Sequence, residues 1–311
     1  MKLGVSFGHS LDPSETVQGA VFCETSGFET LFVSESTGID SLTLLGAIAT
    51  KTSTIGIGTG VVNVYSRSAT QLAMASTTLS ELSNWRFTLG IGSSSKSVVS
   101  DWHELDYSNQ LQRVSASIDL IRKKIDQTNA KLRSKTSSKI PIILAAVGQN
   151  MISLARRKAD GLIFFMRPLT RIRKDSGGSV TGDFQTCASV VTCVSEQEKT
   201  AENRVRKTVA FYVAFGEAYR KLLVAKDLEL LPDDVATSIR REWMRGKIEL
   251  SASLVPDDLL EEVTIFGNPA SCRRKIEEYR EIEALSVLAL QFNPGSNNLQ
   301  ESISLLGKLA K

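Results

Sequence analysis

Short apolar strands that end in glycine-rich turns recur along this chain, and they constrain its fold more than any other feature. The clearest runs from Thr54 to Arg67, where an apolar, β-branched segment leads into Gly58-Thr59-Gly60 and a helix follows near Ser68. Glycines at the carboxyl end of a buried strand leave no side chain between the main chain and a ligand. In α/β folds that end of the strands is where ligands bind. A tight turn with nothing bound is the alternative for one such segment, and the recurrence of the pattern favours a site.

Eight strands of this kind alternate with helices and predict an α/β fold, a (β/α)8 TIM barrel with insertions. They are centred near residues 4, 31, 56, 88, 142, 163, 189 and 288. A chain of 311 residues suits a single barrel domain spanning 1–311. A doubly wound open sheet is the alternative, and it is less favoured because no Gly-x-Gly-x-x-Gly follows the first strand.

Three segments depart from the alternation. Residues 167–183 are rich in arginine and glycine without an apolar period, so we expect a mobile basic loop there. Residues 215–262 predict a helical insertion with breaks near Pro232 and Pro256. The polar segment 129–139 predicts a surface connection.

Composition and charge exclude several classes of protein. A formal charge of +3, from 37 basic and 34 acidic residues, is too balanced for a typical nucleic-acid-binding protein. No stretch approaches the roughly 20 apolar residues of a membrane span. The N-terminus enters a strand directly without a signal-peptide core, so we expect a cytoplasmic protein with no membrane partner. The four cysteines and two histidines form no metal-binding pattern, which predicts free buried thiols and no metal site.

In a barrel, the carboxyl ends of the strands line one pocket. The rim would hold few charges and many glycines, serines and amides, from Gly8-His9, Glu35, Gly58-Thr59-Gly60, Asn63, Gly92 to Ser95, Gly148-Gln149-Asn150, Arg167 and Asn293. Because paired carboxylates and a Ser-His-Asp set are missing, this rim suits a large planar ligand with a phosphate better than hydrolysis. The helix near Met151 offers amides to such a phosphate. For residues 93–95, the alternative to a ligand-binding role is an N-cap run. For residues 171–174, the alternative is a solvated surface loop.

Several stretches, in their order and spacing, resemble the bacterial luciferase-like superfamily, and most closely its branch that uses the deazaflavin coenzyme F420. That branch includes methylenetetrahydromethanopterin reductase. The stretches cover nearly the whole chain and are Ser26 to Glu35, Ala47 to Arg67, Arg86 to Gly92, Asp101-Trp102-His103, Pro141 to Ala146 and Ala159-Asp160-Gly161.

The resemblance implies a barrel with an insertion after the seventh strand, F420 as cofactor with FMN as the alternative, and a homodimer. It places a cis peptide at Gly60-Val61, behind the cofactor ring, and a phosphate cradle from Ala145 to Met151. The basic residues Arg171, Arg173 and Lys174 would guide the acidic tail of the cofactor. The implied cofactor-binding residues are Thr59, Gly60, Val61, Asn63, Gly92, Ser93, Ser94, Ala145, Ala146, Val147, Gly148, Gln149, Met151 and Arg167.

The chain departs from several relatives at positions that bear on proton transfer. Ser36 stands where some have a histidine, Ser95 where some have a glutamate, and Ser68-Ala69 where a His-Pro pair is usual. Glu35 is the carboxylate that remains on the rim, so it is the candidate for tuning or delivering a proton. We therefore expect hydride transfer between reduced F420 and a small organic substrate. The alternatives are an FMN-dependent monooxygenase and a flavin- or deazaflavin-binding protein without catalysis.

Overall fold

The computed structural model describes residues 1–8, 11–132, 139–177, 183–296 and 298–310. His9, expected on the rim, lies outside the described residues, as do residues 133–138 and 178–182 of the two expected connections. The described strands are β1 Lys2–Phe7, β2 Thr30–Val33, β3 Gly56–Thr59, β4 Val62–Asn63, β5 Phe87–Gly92, β6 Ile142–Ala145, β7 Gly161–Phe165, β8 Gln185–Val194, β9 Thr264–Gly267 and β10 Val287–Phe292.

Helices connect these strands, and most begin or end where the sequence predicts. They are α1 Pro13–Ser26, α2 Ser41–Lys51, α3 Ala69–Leu82, α4 Gln110–Leu132, α5 Gln149–Lys158, α6 Leu169–Ser176, α7 Glu198–Phe215, α8 Glu217–Leu223, α9 Asp233–Met244, α10 Ile248–Ser253, α11 Asp257–Val263, α12 Pro269–Arg280 and α13 Leu299–Gly307. A π-helical turn covers Ser97–Trp102. No helix in the described ranges is long and apolar enough to cross a membrane.

Eight parallel strands close into a barrel in the order β1, β2, β3, β5, β6, β7, β8, β10. The ring closes through β10, which pairs with β8 on one edge and with β1 on the other. Helices lie between the strands along the chain. The predicted (β/α)8 barrel is therefore confirmed, and its strands are the eight that the sequence predicts.

The insertion follows the seventh barrel strand. Helices α8 to α11 lie within residues 217–263, where the sequence predicts helices. Together with α7 and part of β8 they bury a second apolar cluster, which includes Val205, Ile239 and Leu259. The last four residues of β8 pair with β9, a strand that the sequence analysis missed. Because Thr264–Gly267 follows directly on α11, no break in the pattern marks where the helix ends and the strand begins.

The segment expected to be a basic loop contains a helix, so the prediction of a loop over residues 167–183 is wrong for α6, Leu169–Ser176. Leu169 and Ile172 lie one helical turn apart and are both buried. Two apolar residues among several charges made too weak a period to predict this helix.

The lower part of the barrel lumen is closed by apolar side chains. They form a cluster of Phe32, Ile143, Ile163, Cys187, Val287 and Ala289. Val61 and Ala145 are only partly buried and rest on this cluster from above. The open end of the lumen is therefore the end that carries the carboxyl termini of the strands.

Candidate functional site

Strand β3 ends in a bulge whose geometry matches the resemblance. The peptide bond between Gly60 and Val61 is cis, as expected. Just before it, the hydroxyl of Thr59 donates to the carbonyl oxygen of Gly90 at 2.7 Å and accepts from the Gly90 N–H at 2.8 Å. The side chain of Thr59 thus makes the hydrogen bonds to β5 that main-chain groups make elsewhere in the sheet. Pairing with β5 resumes at Val62–Asn63.

Small residues of three rim segments meet beside the bulge. A Cβ added to Gly92 would lie 3.0 Å from Cγ2 of Val61 and 3.2 Å from Cβ of Ala145. A Cβ added to Gly60 would lie 2.8 Å from Cβ of Phe32. The close packing of the rim beside the cis peptide therefore leaves no room for a side chain at either glycine. The structure therefore brings together Gly60, Val61, Gly92 and Ala145 as the sequence predicts.

The segment after β6 leads into the open N-terminus of α5. Gly148 is the N-cap, and no side chain caps this helix. The first N–H groups of a helix have no partner within it, and the helix dipole favours an anion there. Ala146 donates its N–H to the carbonyl oxygen of Ile163 at 3.2 Å, which ties the segment to β7. Met151 in the first turn packs against the main core.

Arg167 is hydrogen-bonded to the segment that joins β6 to α5. Its Nη1 donates to the carbonyl oxygen of Val147 at 2.7 Å, and its Nε and Nη2 both donate to Oδ2 of Asp175. Gln149 donates to the other oxygen of Asp175 at 3.0 Å. Burial alone would raise the pKa of Asp175, but the hydrogen bonds from Arg167 and Gln149 outweigh burial and lower it. All three guanidinium nitrogens of Arg167 have hydrogen-bond partners within the chain. A direct contact between Arg167 and a phosphate stays a prediction.

Asn63, Ser93 and Ser94 serve local geometry around the bulge. Oδ1 of Asn63 accepts from the N–H of Tyr65 at 2.9 Å, which shapes the turn after β4. Ser94 has a positive φ of 59°. Its carbonyl oxygen accepts from the hydroxyl of Tyr107 at 2.9 Å. Burial raises the pKa of Tyr107, although its hydrogen bond with Ser93 acts in the opposite direction.

Glu35 is an ion-paired carboxylate. Its two oxygens accept from Nη1 and Nη2 of Arg67 at 2.5 and 3.0 Å. Oε2 also accepts from the N–H and the hydroxyl of Ser41 at 2.9 and 3.0 Å. Burial alone would lower the pKa of Arg67, but its bonds to Glu35 and Asp40 raise it. This arrangement favours a positioning role for Glu35 over proton delivery.

The basic residues expected to guide a cofactor tail are partly neutralised. Arg171 pairs with Asp227, and Nη2 of Arg173 lies 3.1 Å from Oε2 of Glu281. Both arginines belong to α6 rather than to a loop.

A cavity of about 320 Å³ lies where β8 and β10 end beneath the insertion. Two of its lining residues, Tyr212 on α7 and Gln291 on β10, were not predicted from the sequence. Burial raises the pKa of Tyr212, and Gln291 acts in the opposite direction. Nδ2 of Asn293, which the sequence places on the rim, donates to Oγ1 of Thr208 on α7 at 2.8 Å. The period-two pattern of Val287, Ala289 and Gln291 was the available signal, because alternate residues of a strand face one side.

Metal-binding groups and reactive thiols are absent from the residues that the structure describes. Within the described ranges, no group of three or more His, Cys, Asp or Glu could hold a metal ion. The four cysteines are buried and free, as the sequence predicts. Burial raises the pKa of each thiol to about 12, so they are not thiolates near neutral pH.

Comparison with known proteins gives consistent matches over nearly the whole chain. A sequence model of the family described as luciferase-like monooxygenase matches residues 2–285. A putative coenzyme F420-dependent oxidoreductase of Mycobacterium tuberculosis is 24% identical and is covered to 96%, with 95% of this chain aligned. The 5,10-methylenetetrahydromethanopterin reductase of Archaeoglobus fulgidus is 28% identical over 99% of this chain and 98% of its own.

A solved structure shares the fold. The coenzyme F420 dependent tetrahydromethanopterin reductase from Methanopyrus kandleri superposes with a TM-score of 0.79 at 19% identity. The match covers 98% of this chain and 97% of the other.

Proposed function

Because the chain belongs to the luciferase-like monooxygenase family, we propose that it is an F420-dependent oxidoreductase that transfers a hydride between reduced F420 and a small organic substrate. The observation that carries this proposal is the surface beside the cis peptide where Gly92 and Ala145 lie close to Val61, and we call this surface the slot. The full-length similarity to proteins named for F420 supports the choice of cofactor.

The residues present fit such a cofactor. Gly60, Val61, Gly92 and Ala145 would lie against the ring, because they form the rim surface beside the cis peptide. The uncapped first turn of α5, beginning after Gly148, would hold the phosphate. When bound, F420 supplies the hydride chemistry itself.

The protein's own task is then to bind, orient and exclude water. The lumen cluster closes the floor below the slot and keeps solvent away from it. Arg167 braces the phosphate segment through the carbonyl oxygen of Val147. Glu35 anchors Arg67 and the start of α2 at Ser41. The proton donor is therefore expected among groups other than Glu35, and homodimerisation stays a prediction.

The second candidate is an FMN-dependent monooxygenase, which the description of the matching family favours. The two cofactors differ at position 5 of the ring, where FMN has nitrogen and F420 has carbon. Only the nitrogen form reacts readily with oxygen when reduced. Oxygen consumption with reduced cofactor would therefore separate the two functions.

Parallel titrations of the purified protein with F420 and with FMN, followed by fluorescence, test the proposal. We expect micromolar binding of F420 and at least tenfold weaker binding of FMN. Tighter binding of FMN than of F420 would favour the monooxygenase as the function. Binding of neither would remove the proposed function together with its site.

A further inference from the structure

A buried carboxylate on α6 is linked to the segment that joins β6 to α5 at two points. Asp175 is 8% exposed. Its Oδ2 accepts from Nε and Nη2 of Arg167, and Nη1 of Arg167 donates to the carbonyl oxygen of Val147 at 2.7 Å. Its Oδ1 accepts from Nε2 of Gln149, the first residue of α5, at 3.0 Å. Asp175 is thus linked to the residues on both sides of Gly148, the N-cap of the helix.

These contacts orient the main chain at the start of α5. None of the N–H groups of residues 147–150 donates to a residue that the structure describes. The carbonyl and the N–H of a trans peptide point in opposite directions, so a Val147 carbonyl held against Arg167 turns the N–H of Gly148 away from Arg167. The side chain of Gln149 is bonded to Asp175 and does not cap these N–H groups. The first turn of α5 is therefore kept open for an anion.

Further contacts fix the position of α6 relative to α5. Nη2 of Arg156, within α5, donates to the main-chain carbonyl oxygens of Asp175 and Gly177, each at 2.7 Å. Leu169 and Ile172 bury the apolar side of α6. Asp175 therefore has one defined place beside the first turn of α5, as a positioning group requires.

The opposite charges of Arg167 and Asp175 compensate each other. The two side chains form an ion pair, and both are buried. A buried ion pair adds little stability compared with an apolar pair of similar size, because both charges must leave water. Paired with Asp175, Arg167 also offers little net charge to a phosphate. The contribution of this pair to anion binding is therefore the fixed orientation of the segment between β6 and α5.

We infer that Asp175 is a positioning residue for phosphate recognition, which acts through Arg167 and Gln149 to keep the N–H groups at the start of α5 open to the phosphate of the cofactor. This inference rests on the proposed function, from which it takes the bound cofactor. It applies to F420 and to FMN alike, because each carries a phosphate on the chain attached to its ring. The pair then sets how strongly the protein distinguishes a phosphorylated ring compound from the same compound without phosphate.

Two matched pairs of compounds test this inference by fluorescence titration of the full-length protein. FO, which is the ring and ribityl part of F420, is compared with its phosphate ester, and riboflavin is compared with FMN. We expect wild type to bind the phosphorylated member of its preferred pair at least tenfold more tightly, since hydrogen bonds to a charged group are strong. Asp175→Asn removes the carboxylate that holds Arg167 and Gln149, so this preference should fall to within about threefold.

A double variant separates positioning from folding and from charge. Arg167→Met combined with Asp175→Leu replaces the buried pair by apolar side chains and leaves no unpaired charge, so the melting temperature should stay near that of wild type. Its preference for the phosphorylated compound should nonetheless fall as in Asp175→Asn. Asp227→Asn is the matched control, because it removes the exposed partner of Arg171, another arginine of α6, and should leave the preference unchanged.

The outcomes distinguish this inference from the proposed function. A preference that persists in the double variant would overturn the inference, and so would a preference that rises in Asp175→Asn because Arg167 then binds the phosphate directly. Wild type without a preference for phosphate in either pair would overturn it as well. Tighter binding of FMN than of the FO phosphate would contradict F420 as the cofactor, and the inference is then decided by riboflavin and FMN.

Discussion

Glu35 and Arg167 lie near the positions expected from the sequence, but their partners are residues that only the fold brings near. Arg67 is 32 residues from Glu35, and Asp175 reaches Arg167 only because α6 is helical. The sequence therefore predicted where these two residues lie, but it did not predict which residues they contact.

Asp175→Asn tests the buried pair at the residue scale. Arg167 is 4% exposed, so removing the charge of Asp175 leaves a buried guanidinium without its counter-ion. We expect the free energy of unfolding to fall by about 3 kcal/mol in urea titrations. Glu196→Gln is the matched control, because it removes an exposed partner of Lys308 and should cost less than about 0.5 kcal/mol. Equal effects of the two variants would contradict the buried pair.

Glu24 predicts a pH dependence of stability. Burial alone would raise its pKa, but the N–H groups of Ile55, Thr54 and Ser53 donate to its carboxylate and lower the pKa from 4.5 to about 2. The folded state thus binds fewer protons than the unfolded state between these values. The stabilisation is present above pH 4.5 and is lost as the pH falls toward 2.

Glu24→Gln should flatten the pH dependence of the unfolding free energy over this acid range. Urea titrations of both proteins between pH 6 and about pH 2.5 measure the difference. Glu283→Gln, at an exposed position, serves as the control. An unchanged slope in Glu24→Gln would exclude this carboxylate as the source.

At the scale of elements, the repeated strand and helix patterns were strong enough to predict the eight barrel strands and the long helices. The elements that were missed are short. β4 has two residues and β9 has four, and α6 has only two buried apolar residues on its face. The two strands depend on pairing with β5 and β8, which lie elsewhere in the sequence, and Asp175 within α6 pairs with Arg167 just before the helix.

Gly90→Ala tests the close approach of β3 and β5. A Cβ at this position would overlap the carbonyl oxygen of Thr59, which belongs to the backbone and cannot rotate away. We expect destabilisation of about 2–3 kcal/mol, measured by urea unfolding. Gly46→Ala lies on α2 with nothing within 4 Å of the added atom, so it should be neutral or stabilise by about 0.5–1 kcal/mol. Equal stability of Gly90→Ala and wild type would mean that the strands separate freely here.

At the scale of the whole molecule, the alternation of strands and helices predicted a barrel because parallel strands with helical crossovers have few ways to bury both faces. The site follows from that closure, since it brings residues 60, 92, 145 and 148 to one rim. The cavity wall formed by α7 and α9 could not be predicted from the sequence. These helices pack over the barrel through contacts that only the folded chain shows.

The affinity of F420 for Gly92→Val is the most direct test of the slot beside the cis peptide. The added side chain would occupy the space against Val61 and Ala145, so we predict at least tenfold weaker binding than the micromolar affinity expected of wild type. Gly46→Ala, with its methyl group in open space on α2, should bind as wild type does. Unchanged affinity in Gly92→Val, with its melting temperature preserved, would contradict the placement of the ring in this slot.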